Sequence, residues 1–192
     1  MVDGAGRRFV NETRYPGGLG IKMLDLPGKE AYEIFDERIF QLHRNAPGLR
    51  SLARLFDAGF LLKAETPAEL AGKLRINAEG LEQTIRECNA LAAGGDKDAF
   101  DRVLPQPLEG PCYGIKVTVA LYHTQGGLKV NADGQVIRAD GSVIPNLYAG
   151  GGVAVGVSGK GLEGYLPGNG LLASLGLGMI AAEHAVASLN GN

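Results

Sequence analysis

The sequence predicts an α/β chain in two parts: an α+β portion over residues 1–110, and a glycine-rich segment over residues 111–192 that ends in a long helix. Three observations predict it. Two well-punctuated helical stretches fall between Thr66 and Gly95. Pro105, Pro107 and Pro111 then mark a change from helical and charged to glycine-rich and β-branched composition, which places a domain boundary near Glu109. Beyond it, Gly150-Gly151-Gly152 and Gly168-Asn169-Gly170 lead into an apolar run that starts at Leu171.

Taken in order, Gly6-Arg7-Arg8-Phe9-Val10-Asn11-Glu12 reads as a short strand-like stretch leading to a turn at Pro16-Gly17-Gly18. Ala31 to Phe35 alternates as a strand does, and Asp36 to His43 has helical spacing at Ile39, Phe40 and His43. Thr66, with Pro67 at the first helical position and Glu69 three residues on, forms a capping box that satisfies free N–H groups at a helix start. Asn77 opens a second helix, which puts Leu81, Ile85, Cys88 and Leu91 on one face and stops at Gly94-Gly95. Ile115 to Leu121 reads as a strand; Asn131-Ala132-Asp133-Gly134 is a hairpin turn between Leu128–Val130 and Gln135–Ile137, and Asp140-Gly141 is another turn. Asn146 to Ala149 is a short buried strand. A helix from about Leu171 to Leu189 closes the chain; its most apolar part, Leu171 to Ala182, reads as buried and falls short of the roughly 20 residues that cross a bilayer.

Charge excludes one class of partner. With 19 basic and 21 acidic residues spread along the chain, no cationic face offers itself to phosphate backbones, so nucleic acid is not expected. Cys88 and Cys112 lack metal-ligand spacing and read as small hydrophobes in a reduced compartment. Charges and glycines close to Met1, without an apolar stretch of the signal-peptide kind, lead to an expected cytoplasmic location.

Glycine is the unusual total, at 30, concentrated after Gly110. Gly159-Lys160-Gly161-Leu162-Glu163-Gly164 has the spacing of a dinucleotide fingerprint, but Tyr165-Leu166-Pro167 is a poor strand and no βαβ unit surrounds the pattern. What remains is a strand entering Gly150-Gly151-Gly152, a glycine-broken loop, and Gly168-Asn169-Gly170 at a helix start. Free N–H groups and the positive end of the helix dipole suit an anion or a carbonyl that gains charge, as a reduced flavin ring does at N1 and the C2 oxygen. The alternative is tight helix–sheet packing.

Three runs in this order carry a resemblance: Tyr122-His123-Thr124-Gln125-Gly126-Gly127-Leu128, Val143-Ile144-Pro145-Asn146-Leu147-Tyr148-Ala149-Gly150-Gly151, and Gly168-Asn169-Gly170-Leu171-Leu172. Together they resemble the C-terminal region of the fumarate reductase/succinate dehydrogenase flavoprotein family, whose members show His-His-Thr-Met-Gly-Gly, Ile-Pro-Gly-Leu-Tyr-Ala-Ala-Gly-Glu and Arg-Leu-Gly-Gly-Asn. The opening Gly-Arg-Arg-Phe-Val-Asn-Glu and the Thr66–Gly95 helix pair look like that family's capping domain. The resemblance implies a capping domain over residues 1–110, followed by the C-terminal half of a Rossmann-like FAD-binding domain over 111–192. It also implies FAD as cofactor, and hydride transfer at flavin N5 to or from a carbon next to a carbonyl or carboxylate of a small-molecule substrate. The family's N-terminal FAD-binding segment has no counterpart here, so the chain is expected to be a fragment whose partner is that segment.

Site residues follow by position. His123, Gly126, Gly127, Gly150, Gly151, Gly152, Gly168, Asn169, Gly170, Leu171 and Leu172 are implied as cofactor-binding, and Arg14, Tyr122 and Tyr165 as catalytic, with no metal. Tyr122 and Tyr165 stand where dicarboxylate reductases of the family carry His and Arg. A neutral phenol cannot clamp carboxylates by charge but can donate to a carbonyl, which favours an enone or ketone over fumarate. Tyr165-Leu166-Pro167-Gly168 is also similar to the Tyr-Pro-Gly loop of 3-ketosteroid dehydrogenases, with one residue more. For both tyrosines the alternative is an ordinary buried aromatic; for Arg14 it is a structural arginine.

Overall fold

The computed structural model describes residues 1–13, 16–45, 51–121, 124–159, 161 and 164–190. The chain forms two compact units, Met1–Ala120 and Leu121–Asn192.

The first unit is built on a three-stranded antiparallel sheet of β1 (Glu30–Asp36), β2 (Leu62–Ala64) and β3 (Cys112–Thr118), in the order β1-β3-β2. Glu30 pairs with Thr118 and Asp36 with Cys112, while Leu62 pairs with Gly114. Side chains alternate along β3, so its two faces serve two cores. On one face Cys112 packs with Tyr32, Ala64, Leu70, Leu81 and Ile85 under α4 (Pro67–Leu74) and α5 (Ala78–Gly94). A Cβ on Gly114, on that face, would sit 2.7 Å from Leu74 Cδ1, so glycine is what lets α4 lie down on the sheet. On the other face Tyr113 stacks with Phe40 at 4.4 Å between ring centres and joins Phe35 and Leu61. That core is covered by α2 (Glu37–Asn45) and α3 (Ser51–Asp57).

The helix punctuation follows the sequence with one variation. Thr66 Oγ1 accepts from Glu69 N at 3.2 Å and Asn77 Oδ1 from Gly80 N at 2.7 Å, while Gly95 ends α5 at φ +72°. The Glu69 carboxylate, however, accepts from the Glu65 N–H. Pro16-Gly17-Gly18 makes no turn: Pro16 starts α1 (Pro16–Leu24), using a position whose missing N–H costs nothing. Arg8 and Val2 make only isolated bridges, with Val2 docking on Tyr32 at the sheet edge.

Because β3 pairs with β1 and β2, it belongs to the first unit, and the division falls at Ala120/Leu121 rather than near Glu109. The proline cluster marks a loop that crosses the unit, not its end. The strand itself spans Cys112–Thr118, earlier than its expected Ile115–Leu121.

The second unit holds a hairpin of β4 (Gln135–Ile137) and β5 (Val143–Tyr148), then α6 (Asn169–Asn190). Both expected turns form. Asn131 Oδ1 accepts from Asp133 N and Gln135 N, and Gly141 N donates to Arg138 O. The expected Leu128–Val130 strand reduces to isolated bridges, Val130 to Val136 and Leu128 to Ala154. The expected buried strand at Asn146–Ala149 begins earlier, at Val143, and leaves Asn146 and Leu147 exposed, because the two-stranded hairpin covers one face only. The core is small: Val136, Ala149 and Ala154 with Val130, Ile144 and Leu177 around them.

The expectation of a buried Leu171–Ala182 helix is overturned. Leu171, Leu175 and Met179 are 74%, 76% and 62% exposed, and within α6 only Asn169 and Ala173 are buried. At 22 residues α6 is also long and apolar enough to cross a membrane by length and composition alone, because the helix extends past the dozen apolar residues the sequence marks out. Such a helix is equally that of a core element in a larger protein.

Candidate functional site

The second unit gathers the glycine motifs around the start of α6. Leu128 N donates to Val153 O and Val155 N to Leu128 O, which lays the 124–128 segment alongside the turn Gly151–Val153 in parallel. Gly156 N donates to Gln125 O, extending the same seam. Asn169 locks this seam to the helix: its Nδ2 donates to Leu166 O at 2.8 Å, and its Oδ1 accepts from Gln125 Nε2 at 3.3 Å. At 4% exposure Asn169 is a buried brace, its polar atoms engaged within the protein.

The glycines divide into two kinds by what a Cβ would meet. At Gly127 it would lie 2.5 Å from the Ala154 carbonyl group, at Gly150 3.1 Å from Leu177 Cβ, and at Gly151 2.5 Å from Ser174 Oγ. These three serve packing, the alternative left open by the sequence. At Gly126, Gly152, Gly168 and Gly170 a Cβ would meet no atom of the described residues within 4 Å. These four border open space at the mouth of α6. There Leu172 N donates to Gly168 O and Asn169 N to Leu166 O, while the N–H groups of Gly170 and Leu171, at the positive end of the helix, have no backbone acceptor among the described residues. Leu171 and Leu172 are both exposed beside them.

The arrangement fits the ring end of a flavin: open glycine backbone, donors without intrahelical acceptors, and exposed apolar side chains for a flat aromatic face. The pyrophosphate end has no such fit among the described residues. Gly159 N donates to Gly164 O, and no strand leads into Gly159 among the described residues, as a dinucleotide fingerprint would need.

Of the residues implied as catalytic, Tyr165 is half-buried and three positions before Gly168. Arg14 and Tyr122, with His123 of the cofactor set, lie outside the described residues. Two polar clusters have no counterpart in the sequence reading. Tyr148 Oη lies 2.8 Å from His184 Nδ1, joining β5 to α6. In the first unit, Glu12 accepts from Arg8 Nε and Nη2 and from Arg102 Nη1, while Arg8 also pairs with Asp98. Burial opposes the Glu12 charge, but hydrogen bonds from Arg8 and the adjacent Met1 ammonium outweigh it and hold the carboxyl down at about 2. Burial likewise opposes the Arg8 charge, and bonds to Glu12 and Asp98 reverse that and raise it. Arg8 and Glu12 share the expected Gly6–Glu12 stretch, yet nothing local signals partners some 90 residues away. Both cysteines are free thiols, and burial pushes each up.

Known proteins resemble this chain along nearly its whole length. The chain is 33% identical to a 3-oxosteroid 1-dehydrogenase of Mycobacterium tuberculosis, over 96% of this chain and 38% of that protein. It is 32% identical to a fumarate reductase (cytochrome) of Shewanella frigidimarina, over 96% of this chain and 31% of that protein. Among solved structures, the open conformation of a flavocytochrome c3 fumarate reductase matches with TM-score 0.73 and 28% identity over 94% of this chain and 31% of the other. A 3-ketosteroid delta1-dehydrogenase from Sterolibacterium denitrificans matches with TM-score 0.72 and 26% identity over 97% and 38%. The chain thus spans about a third of the length of the relatives it matches. Residues 1–171 match the FAD binding domain family, so the chain belongs to that family, and FAD is the cofactor this membership indicates.

Proposed function

We propose that this chain supplies the ring end of the flavin site in an FAD-dependent oxidoreductase that acts on a C–C or C=C bond next to a carbonyl or carboxylate. The observation that carries the reading is the set of open glycines at the start of α6, in a chain of the FAD binding domain family. When bound, FAD supplies hydride transfer at N5. The chain's own residues hold and polarise. The Gly170 and Leu171 N–H groups, with the helix dipole, stabilise negative charge on the ring carbonyl. Gly126, Gly152 and Gly168 admit the ring close to the backbone. Tyr165 and Tyr122 donate to a substrate carbonyl, and Arg14 delivers a proton.

Tyrosines at these two positions favour a neutral ketone or enone, the class to which a 3-oxosteroid belongs, over a dicarboxylate. The remaining FAD contacts come from a dinucleotide-binding segment as partner; the exposed apolar side of α6 and the one-third span of the relatives support this. The reading includes a cytoplasmic location, no membrane span and no nucleic-acid partner. A second reading, an inactive remnant, is favoured by the lack of a strand-borne glycine fingerprint among the described residues.

Absorbance of the purified chain during FAD titration, alone and with the completing segment, separates the two. Bound flavin and turnover of a 3-oxosteroid with an artificial electron acceptor, without turnover of succinate, are the expected result. Tyr165→Phe then lowers turnover by about a hundredfold while the protein stays yellow. A chain that never binds flavin is a remnant, and succinate turnover overturns the substrate class.

A further inference from the structure

We propose that the first unit carries a second small-molecule site, for a medium-chain carboxylate, in a cavity of about 320 Å³ between β1, α5 and the 102–108 segment. All of its lining residues belong to the first unit, and the proposal does not rest on the flavin reading.

The cavity lining is mainly apolar, with Thr84, Asn89 and Gln106 as neutral polar members and a charged cluster where Arg8, Glu12 and Arg102 meet. Phe35, Leu81 and Ile85, all buried, form its walls with Ile34, Ile39 and Leu108. Every nitrogen of the Arg8 guanidinium is engaged: Nε and Nη2 on Glu12, Nη2 also on Val10 O, and Nη1 on Asp98. Arg102 is not so served. Its Nη1 donates to Glu12 Oε2 at 2.5 Å, but its Nε is buried without an acceptor, and no bond from its Nη2 is found among the described residues. Glu12 cannot supply the deficit, since it already receives Arg8 and, at 2.5 Å, the Met1 ammonium.

The Arg102 side chain is 23% exposed and lines this cavity, and its unbonded Nη2 is a charged donor that a carboxylate oxygen matches better than a neutral group does. Size sets the rest of the ligand. At about 30 Å³ per water-sized group, the volume admits roughly ten non-hydrogen atoms, which is a carboxyl group on a chain of about seven carbons. At the rim stand one further cation, Arg38, and one further carboxylate, Glu33, so the mouth adds no net charge against an anion.

Isothermal titration calorimetry of the purified full chain tests this with octanoate, octan-1-ol and butyrate as probes. Octanoate binds saturably at one site, and octan-1-ol, of the same length without the charge, binds about tenfold more weakly or worse. Butyrate, which leaves most of the apolar wall uncovered, is weaker too. Arg102→Met brings octanoate down to the level of octan-1-ol, with folding checked by circular dichroism. Leu104→Trp, which fills the cavity without touching the ion cluster, abolishes binding of both and serves alone if Arg102→Met does not fold. Absence of saturable octanoate binding, equal binding of octan-1-ol, or octanoate binding unchanged in Leu104→Trp overturns the proposal.

Discussion

The two units of this chain use their residues in opposite ways. Met1–Ala120 buries large side chains on both faces of a sheet, with Tyr113, Leu61, Leu70 and Leu81 fully enclosed. Among its described residues, Leu121–Asn192 encloses little beyond Gly134, Val136, Ala149, Ala154, Ala173 and Asn169, and leaves a row of leucines on α6 exposed. Burial at about 25 cal/mol per Å² makes the first unit the main source of its own stability. The second holds its shape through backbone: parallel bridging, glycine contacts and the Asn169 brace. The difference teaches that one unit is organised around what it contains, the other around what it presents.

The comparison breaks if the first unit does not depend on its enclosed aromatics. Tyr113→Ala removes a ring stacked on Phe40 and Phe35 and a hydroxyl bonded to Glu37 at 2.6 Å. The expected loss is about 3–5 kcal/mol, read as faster amide hydrogen exchange across β1, β3 and α2. Exchange in α6 stays as it was; equal acceleration there would mean that the units unfold as one.

Acid separates the units by a somewhat smaller margin. Glu12 titrates near 2 in the folded chain against an ordinary 4.5, so its stabilisation is complete above about pH 4.5 and is lost as pH falls toward 2. Over that window the first unit loses roughly 3 kcal/mol from this group. Glu37, lowered by bonds from Gln41, Tyr113 and Lys63, titrates in the same window. In the second unit the lowered carboxylate among the described residues is Asp140, exposed on a turn and bonded to Ser142. Hydrogen exchange followed from about pH 5 to about pH 2.5 therefore shows protection falling in the first unit ahead of the second; the reverse order contradicts the charge cluster.

What could be read from sequence follows from how local each cause is. Thr66, Asn77 and Gly95 announce helix ends through neighbours three or four positions away, and the structure has those ends. The pairing of β1 with β3 joins residues about 80 apart, so the strand was legible but its partner was not. That is why the boundary moved past β3. The glycine cradle was legible as a feature and undivided as to purpose: only the folded geometry separates Gly127, Gly150 and Gly151, which packing requires, from Gly126, Gly152, Gly168 and Gly170, which face open space. Exposure of α6 was illegible because apolar composition states what a helix avoids, not what surrounds it.

That division yields the smallest and most local contrast. Gly151→Val puts a branched side chain at φ +59° against Ser174 Oγ, and is expected to cost the second unit about 1–3 kcal/mol. Leu175→Gln, on the exposed side of the same helix one residue further along, is expected to change stability by less than about 0.5 kcal/mol in this chain. Flavin binding in the presence of the completing segment should rank them the other way if α6 presents its outer face to that segment. Then Leu175→Gln weakens assembly while leaving the free chain unchanged, a combination that a merely solvent-facing leucine would not produce.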